Sequence, residues 1–247
     1  MSRERKSIDQ YNLDIKEMDG YIYTGKKSQK SMHIFNKRAS LAIKNLIDLT
    51  GKKVIDIGCA DGTFTVELVA QMKAARAIGV EPSDAWRLAQ KKYGQGDPRV
   101  QFHYGSAYRL DFPDRYFDVS LMRGVLHHLD DPVKGLKECL RVSRGVFLLE
   151  PNGYNPIIKL LEIFSPYHRA HQEKSYCPHT LRTWLKLLGA TFVNESFTSL
   201  VPLICPDRIA AFLDWLTPRW ERLPLIPKVS CGLYCVYFTR EEERVRR

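Results

Sequence analysis

The stretch VIDIGCADGTFT, residues 54–65, decides how this chain is read. Val54, Ile55 and Ile57 make a short apolar run that ends in a turn punctuated by Gly58 and Gly62, with a helix-like segment beyond it. A strand, a glycine turn and a helix in that order look like a nucleotide-binding fingerprint, in which backbone amides approach a pyrophosphate at a helix N-terminus. Here the middle position of the turn is Ala60, and carboxylates stand at Asp56 and Asp61. Two unit charges ~4 Å apart repel by about 4 kcal/mol at an effective dielectric near 20. Such a turn disfavours phosphate and favours a cationic ligand that carries a nucleoside.

Outward from this turn, strand-like and helix-like segments alternate. Apolar strands are expected at 53–58, 75–82, 99–107, 116–124, 145–151, 190–197 and 231–239, most of them continuous enough to be buried on both faces. Between them lie helix patterns at 62–74, 83–94, 131–142 and 180–190. Ser83 is a candidate N-cap, and Gly94 and Gly189 are candidate stops. The pattern predicts an α/β fold, a doubly wound, mostly parallel seven-stranded sheet in a single domain spanning 1–247. Three pieces fall outside the rhythm. Residues 1–52 read as a basic N-terminal helical cap, and 151–177 and 200–230 read as inserts over the far side of the site. In the second insert Ile209, Phe212, Leu213 and Leu216 share one helical face.

Composition sets the class. With 44% hydrophobic and 27% charged residues, the 247-residue chain is ordinary for a globular protein, not a disordered one. No apolar run approaches the roughly 20 residues that span a bilayer. The charged start, MSRERKSIDQ, lacks the apolar core of a secretory signal, so a cytoplasmic protein is expected. The six cysteines form no CxxC pair and read as free thiols. Cys231 and Cys235 are expected on one face of the last strand, and no metal site is expected. The net charge of +10 fits a solvated basic surface, an anionic membrane, an acidic small molecule or nucleic acid, and does not choose among them.

Glu81, ending the second strand, is placed to accept both hydroxyls of a ribose. An ammonium, a sulfonium and a ribose without phosphate describe S-adenosylmethionine. The set VIDIGCADGTFT, IGVEPS, YGSAYRLDFPDRYFDVSLMRGVLHHLDDP and VFLLEPNGYNP resembles class I S-adenosylmethionine-dependent methyltransferases over residues 40–200. That resemblance implies a cofactor loop of Asp56, Gly58, Cys59, Ala60 and Gly62, with Glu81 and Pro82 at the ribose. It places Ser106, Ala107 and Tyr108 at the adenine, and Arg123 near the methionine end. Ala60 and Ser106 depart from the commoner glycine and aspartate of the family.

Methyl transfer needs an in-line acceptor and, for a hydroxyl, a base. The candidates are His127 and His128 of VLHHLDDP, with His128 foremost and Asp130 to orient one of the pair, together with Glu150, His168, His171 and Glu173. The aromatic and basic insert with Trp215, Trp220, Arg208, Arg219, Arg222 and Lys228 suggests a cover for an apolar, lipid-like small-molecule acceptor, with peripheral contact to an anionic membrane. Where amino-methylating nucleic-acid enzymes carry a proline-aromatic tetrad after the fourth strand, this chain has MRGVLHHL, so nucleic acid is disfavoured. An enzyme acting on RNA or protein and a non-catalytic methyltransferase-like binding protein are the alternative readings.

Overall fold

The computed structural model describes residues 2–18, 24, 29–165, 169, 174–203 and 205–240. Its seven strands are β1 (Lys53–Ile57), β2 (Arg76–Glu81), β3 (Val100–Tyr104), β4 (Phe117–Arg123), β5 (Ser143–Pro151), β6 (Ala190–Thr198) and β7 (Leu233–Arg240). They form one sheet in the order β3-β2-β1-β4-β5-β7-β6. The first five strands pair in parallel, and β7 runs antiparallel to both β5 and β6. This is the doubly wound arrangement the sequence predicts. Strand order reverses at β1, which is flanked by β2 and β4. The crevice beyond the carboxyl ends of β1 and β4 is therefore where a ligand is expected.

Alternation along the strands builds two cores. Val54, Val119, Leu121, Phe147, Leu149, Cys235 and Tyr237 face one layer. Ile55, Met122, Val146, Leu148, Tyr234, Val236 and Phe238 face the other. The first layer is covered by α2 (Lys30–Leu46), α3 (Thr63–Ala70) and α4 (Ala85–Tyr93), the second by α5 (Pro132–Val142) and α7 (Pro178–Leu187). Each fully buried Leu, Ile, Val or Phe contributes about 1.5–3 kcal/mol by leaving water.

Local chemistry sets the helix ends. Asp131 caps α5, its carboxylate accepting from the Lys134 amide at 3.0 Å, and Pro132 follows in the first turn. Gly189 takes a left-handed φ of 79° just beyond α7, as expected of a stop. At α4 the capping position is Asp84, without a side-chain bond, while the Ser83 hydroxyl accepts from the Ala85 amide at 3.3 Å and donates to Glu81. Cys231 falls at the end of a short helix, outside β7; it and Cys235 are buried, and all six thiols are free.

The N-terminal segment folds into α1 (Arg3–Met18) followed by α2. The inserts supply α6 (Pro156–Phe164), α8 (Asp207–Trp220) and α9 (Ile226–Ser230). Arg38 of α2 pairs with Asp214 of α8 at 2.6 Å, and Ser31 donates to the Leu203 carbonyl at 2.7 Å. The N-terminal and 200–230 segments are thus tied to each other over the first layer. Among the described residues, no helix is long and apolar enough to cross a membrane.

Candidate active site

The β1 turn is held open by its own backbone bonds. The amides of Gly58 and Cys59 both donate to the Val80 carbonyl, at 2.8 and 3.2 Å, which ties the turn to β2. Gly58 has φ 74°, and a Cβ there would sit 2.3 Å from the Val125 side chain. Gly62, φ 77°, faces away from the crevice. Its Cβ would lie 2.5 Å from Phe102 and 2.9 Å from Ala89, so it is required by helix–strand packing rather than by a ligand. Ala60 is also left-handed, with φ 50°, a conformation that costs a non-glycine residue on the order of 1 kcal/mol. Its amide donates to Glu81 Oε2 at 3.0 Å, which fixes the turn in that shape.

The carboxylates divide into separate tasks. Glu81 is buried and also accepts from the Ser83 amide at 3.0 Å and the Ser83 hydroxyl at 2.5 Å. It shapes the loop directly from behind the turn, without itself lining the cavity, and keeps further acceptor capacity for hydroxyls. Burial raises its pKa, opposed by these hydrogen bonds. Asp56 lines the cavity and accepts from the Thr65 hydroxyl at 2.6 Å. Burial pushes its carboxyl up to about 6; the Thr65 bond and the Arg123 charge pull the other way, and Glu81 adds to the rise. Asp61 is different. It pairs with Lys92 at 2.9 Å and accepts from Thr24 at 2.7 Å, so its charge is neutralised within the protein and is not presented to the ligand. Of the two acids flanking the turn in sequence, only Asp56 belongs to the cavity.

Arg123 supplies the opposite charge. Its guanidinium stacks over the Phe64 ring at 3.6 Å and donates to Ser40, the Asn36 carbonyl and the Asn36 side chain at 3.0–3.2 Å. Both Arg123 and Phe64 line the cavity with Asp56, Gly58, Cys59 and Ala60. An anion and a cation at one end of a pocket suit an amino-acid zwitterion, and the glycine turn with Glu81 suits a ribose. The donor set fits S-adenosylmethionine. Ser106, Ala107 and Tyr108 do not line this cavity but follow β3 beside Glu81, whose carbonyl accepts from Gly105 at 3.2 Å. Ala107 is buried in the second core, and the Tyr108 hydroxyl accepts from the Asp131 amide at 3.0 Å. Pro82 is half-buried between Glu81 and Ser83.

The turn after β4 separates two neighbouring histidines. Glu150 is buried and does not line the cavity; its carboxylate accepts from the amides of Val125, Leu126 and His127 at 3.1, 2.9 and 3.3 Å, and from His127 Nδ1 at 2.6 Å. The acid read as a candidate acceptor contact therefore orders this turn and orients His127. His128 has its Nδ1 3.1 Å from the Ser7 hydroxyl and its Nε2 3.2 Å from the Tyr11 hydroxyl. Asp130 accepts from the Glu4 amide at 3.2 Å. Both rings line the cavity: His127 is held by Glu150, and His128 is held through both nitrogens by Ser7 and Tyr11 of α1. His168, His171 and Glu173 lie outside the described residues.

Sequence reasoning missed the role of α1. Beyond its two contacts to His128, its Asn12 side chain accepts from the Asp84 amide at 2.8 Å, beside the Ser83–Glu81 pair. The helix therefore lies across the crevice from the histidines to the end of β2. Nothing in a polar N-terminal segment signals that contact. The rest of the cavity lining is apolar at Phe35, Leu149, Pro151, Leu203 and Leu233 and polar at Tyr11 and Asn36.

Comparisons with known proteins agree with this geometry. A methyltransferase-domain family matches residues 55–149, from β1 to the end of β5. An uncharacterized methyltransferase of Schizosaccharomyces pombe is 36% identical over 110 residues, covering 41% of this chain and 37% of that protein. A ubiquinone biosynthesis O-methyltransferase of Pseudomonas fluorescens is 26% identical over 198 residues, covering 75% of this chain and 84% of that protein. A SAM-dependent methyltransferase structure from Thermotoga maritima superposes with a TM-score of 0.63 at 17% identity, over 95% of this chain and all of the other.

Proposed function

We propose, for a chain that is a class I S-adenosylmethionine-dependent methyltransferase, that its acceptor is a small, hydrophobic or lipid-like metabolite methylated on oxygen or nitrogen. The observation that carries this reading is the composition of the cavity. Its lining joins the charged Asp56 and Arg123 to the apolar Phe35, Leu149, Pro151, Leu203 and Leu233, together with Tyr11, His127 and His128. The name of the Pseudomonas relative, which acts in ubiquinone biosynthesis, points to the same acceptor chemistry.

When bound, S-adenosylmethionine supplies an electrophilic methyl group on a sulfonium sulfur. Asp56 and Arg123 hold the amino-acid end, Glu81 the ribose hydroxyls, and the Gly58–Ala60 turn shapes the floor. The apolar lining orients the acceptor and excludes water, so that positioning supplies much of the rate. Glu150 holds the His127 ring through Nδ1, and a ring held in this way at the cavity lining is our candidate to take the proton of a hydroxyl acceptor.

Incubation with methyl-labelled cofactor and, separately, alkylated phenols or quinols, total lipid extract, total RNA and denatured protein tests the acceptor class. Label is expected in the phenol, quinol or lipid fractions; label only in RNA or protein would overturn the reading. With a hydroxyl acceptor, His127→Ala should lower kcat by about 100-fold while leaving cofactor affinity unchanged.

A further inference from the structure

The helices of the two inserts leave an apolar surface that the fold does not use. α6, PIIKLLEIF, has no buried residue, and its Ile157, Leu160, Ile163 and Phe164 are all exposed, Phe164 at 71%. α8 turns Ala210 and Thr217 inward and presents Ile209, Phe212 and Trp215 to solvent, Trp215 at 58%. Leu225, just before α9, is 73% exposed, and Val229 on α9 is exposed too. Large apolar side chains left exposed on neighbouring elements mark an interaction site.

These pieces converge on one residue, Ser230. Asn155, the cap of α6, donates to the Ser230 carbonyl at 3.0 Å, and the Trp220 indole at the end of α8 donates to the Ser230 hydroxyl at 2.8 Å. Asn152 donates to the carbonyls of Lys228 and Cys231 at 3.0 and 2.9 Å. The ends of α6, α8 and α9 are thus stitched together at the carboxyl edge of the sheet, where Pro151 pairs with Leu233 and both line the cofactor cavity.

Exposed cations outnumber exposed acids around this face, with Arg208, Arg219, Arg222 and Lys228 against Asp207, and with Glu221 half-buried. On α8 the exposed Arg208 and Arg219 flank the Phe212–Trp215 pair, whose rings stack at 6.0 Å, and the Arg219 guanidinium lies 4.6 Å from the Trp215 ring. Arg222 and Lys228 continue the series, both exposed and both lining a second cavity of about 570 Å³ between α2, β6 and α9. Asp214, on the same helix, points inward to Arg38. Aromatic and aliphatic side chains bordered by arginine and lysine are the chemistry of a helix that lies in an anionic lipid interface. A face meant for a second copy of this chain would set like charges against each other.

We infer that the outer face of α6, α8 and α9 docks on an anionic lipid bilayer, with the cofactor cavity opening beside the contact. The inference goes beyond the proposed reaction and holds whatever the acceptor, because docking is measured without one. The full-length protein is mixed with phosphatidylglycerol or phosphatidylcholine vesicles at low salt. Binding is followed by co-sedimentation and by quenching of tryptophan fluorescence with brominated lipid. Expected are at least tenfold tighter partition onto phosphatidylglycerol, weakening with salt, and quenching that is lost in Trp215→Phe. The double change Phe212→Glu with Trp215→Glu, or Leu160→Glu alone, should reduce partition at least tenfold while cofactor binding is retained. Leu187→Glu, an apolar residue 80% exposed at the far end of α7, should change nothing. Failure of the parent protein to bind phosphatidylglycerol, unaltered binding by the face variants, or a dimer in solution that those variants dissociate would each overturn the inference.

Discussion

The cofactor half of the molecule and its insert half obey different rules. Around the turns after β1 and β4 these acids each have a partner: Asp56 with Thr65, Asp61 with Lys92, Glu81 with Ala60 and Ser83, Glu150 with His127 and three amides. Around α6 and α8, among the described residues, large apolar side chains are exposed instead of packed. Buried polar groups are costly unless paired, so the first region tolerates little change. Exposed apolar groups cost little to replace, so the second region can be altered without unfolding. The difference teaches that paired, buried polar groups are concentrated in one half, while the other half leaves large apolar side chains exposed.

The largest effect expected from breaking this contrast is at Gly62. Gly62→Ala adds a Cβ 2.5 Å from Phe102 at a φ of 77°, combining overpacking with left-handed strain, and should cost about 3 kcal/mol or more of stability. Chemical denaturation of the variant measures it; a loss below ~1 kcal/mol would show that the β3–α4 packing yields.

Asp56 sharpens the comparison next, because its burial opposes stability and serves binding. Asp56→Asn should weaken S-adenosylmethionine about 100-fold or more, roughly 2.7 kcal/mol, by calorimetry. The same change should stabilise the ligand-free protein at pH 7. The folded carboxyl titrates at about 6, and the unfolded one near 3.9. Between those values the folded state holds more protons, so stability falls as pH rises through this window. On the order of 1–3 kcal/mol is therefore regained by an uncharged side chain. Cofactor affinity has the opposite dependence: it should fall as pH drops through about 6 in the parent and be flat there in Asp56→Asn. An affinity independent of pH from 5 to 8 in the parent would remove Asp56 from the ammonium site.

The smallest effect belongs to the insert. Phe164→Ser on α6 should change unfolding free energy by no more than about 0.5 kcal/mol, since the ring is 71% exposed and packs on nothing in the described core. A loss near that of a core phenylalanine would mean α6 is covered.

The sheet was legible because its signals are local. Continuous apolar runs such as Val54–Ile57 and Phe147–Leu149, punctuated by Gly58 and Gly189, set strand identity and helix ends within a few residues of themselves. The cofactor loop was legible for the same reason, since Asp56, Gly58 and Glu81 lie at fixed offsets from those strands. The histidines were not. His127 and His128 are adjacent and chemically identical, and only the turn after β4 decides which ring meets Glu150, 23 residues away, and which meets Tyr11, 117 residues away. Asp61 misled in the same manner, because its partner Lys92 comes from α4.

By itself, then, the sequence determined the layer architecture, the position of the crevice and the charge of its floor, all of which follow from periodicity and short-range spacing. Only the tertiary structure decided which acid faces the cavity, which histidine Glu150 holds and which α1 holds, that α1 lies across the crevice and that the apolar residues of α6 are exposed. Each of those depends on contacts between segments far apart in the chain, and no local pattern encodes the direction in which a side chain will find its partner.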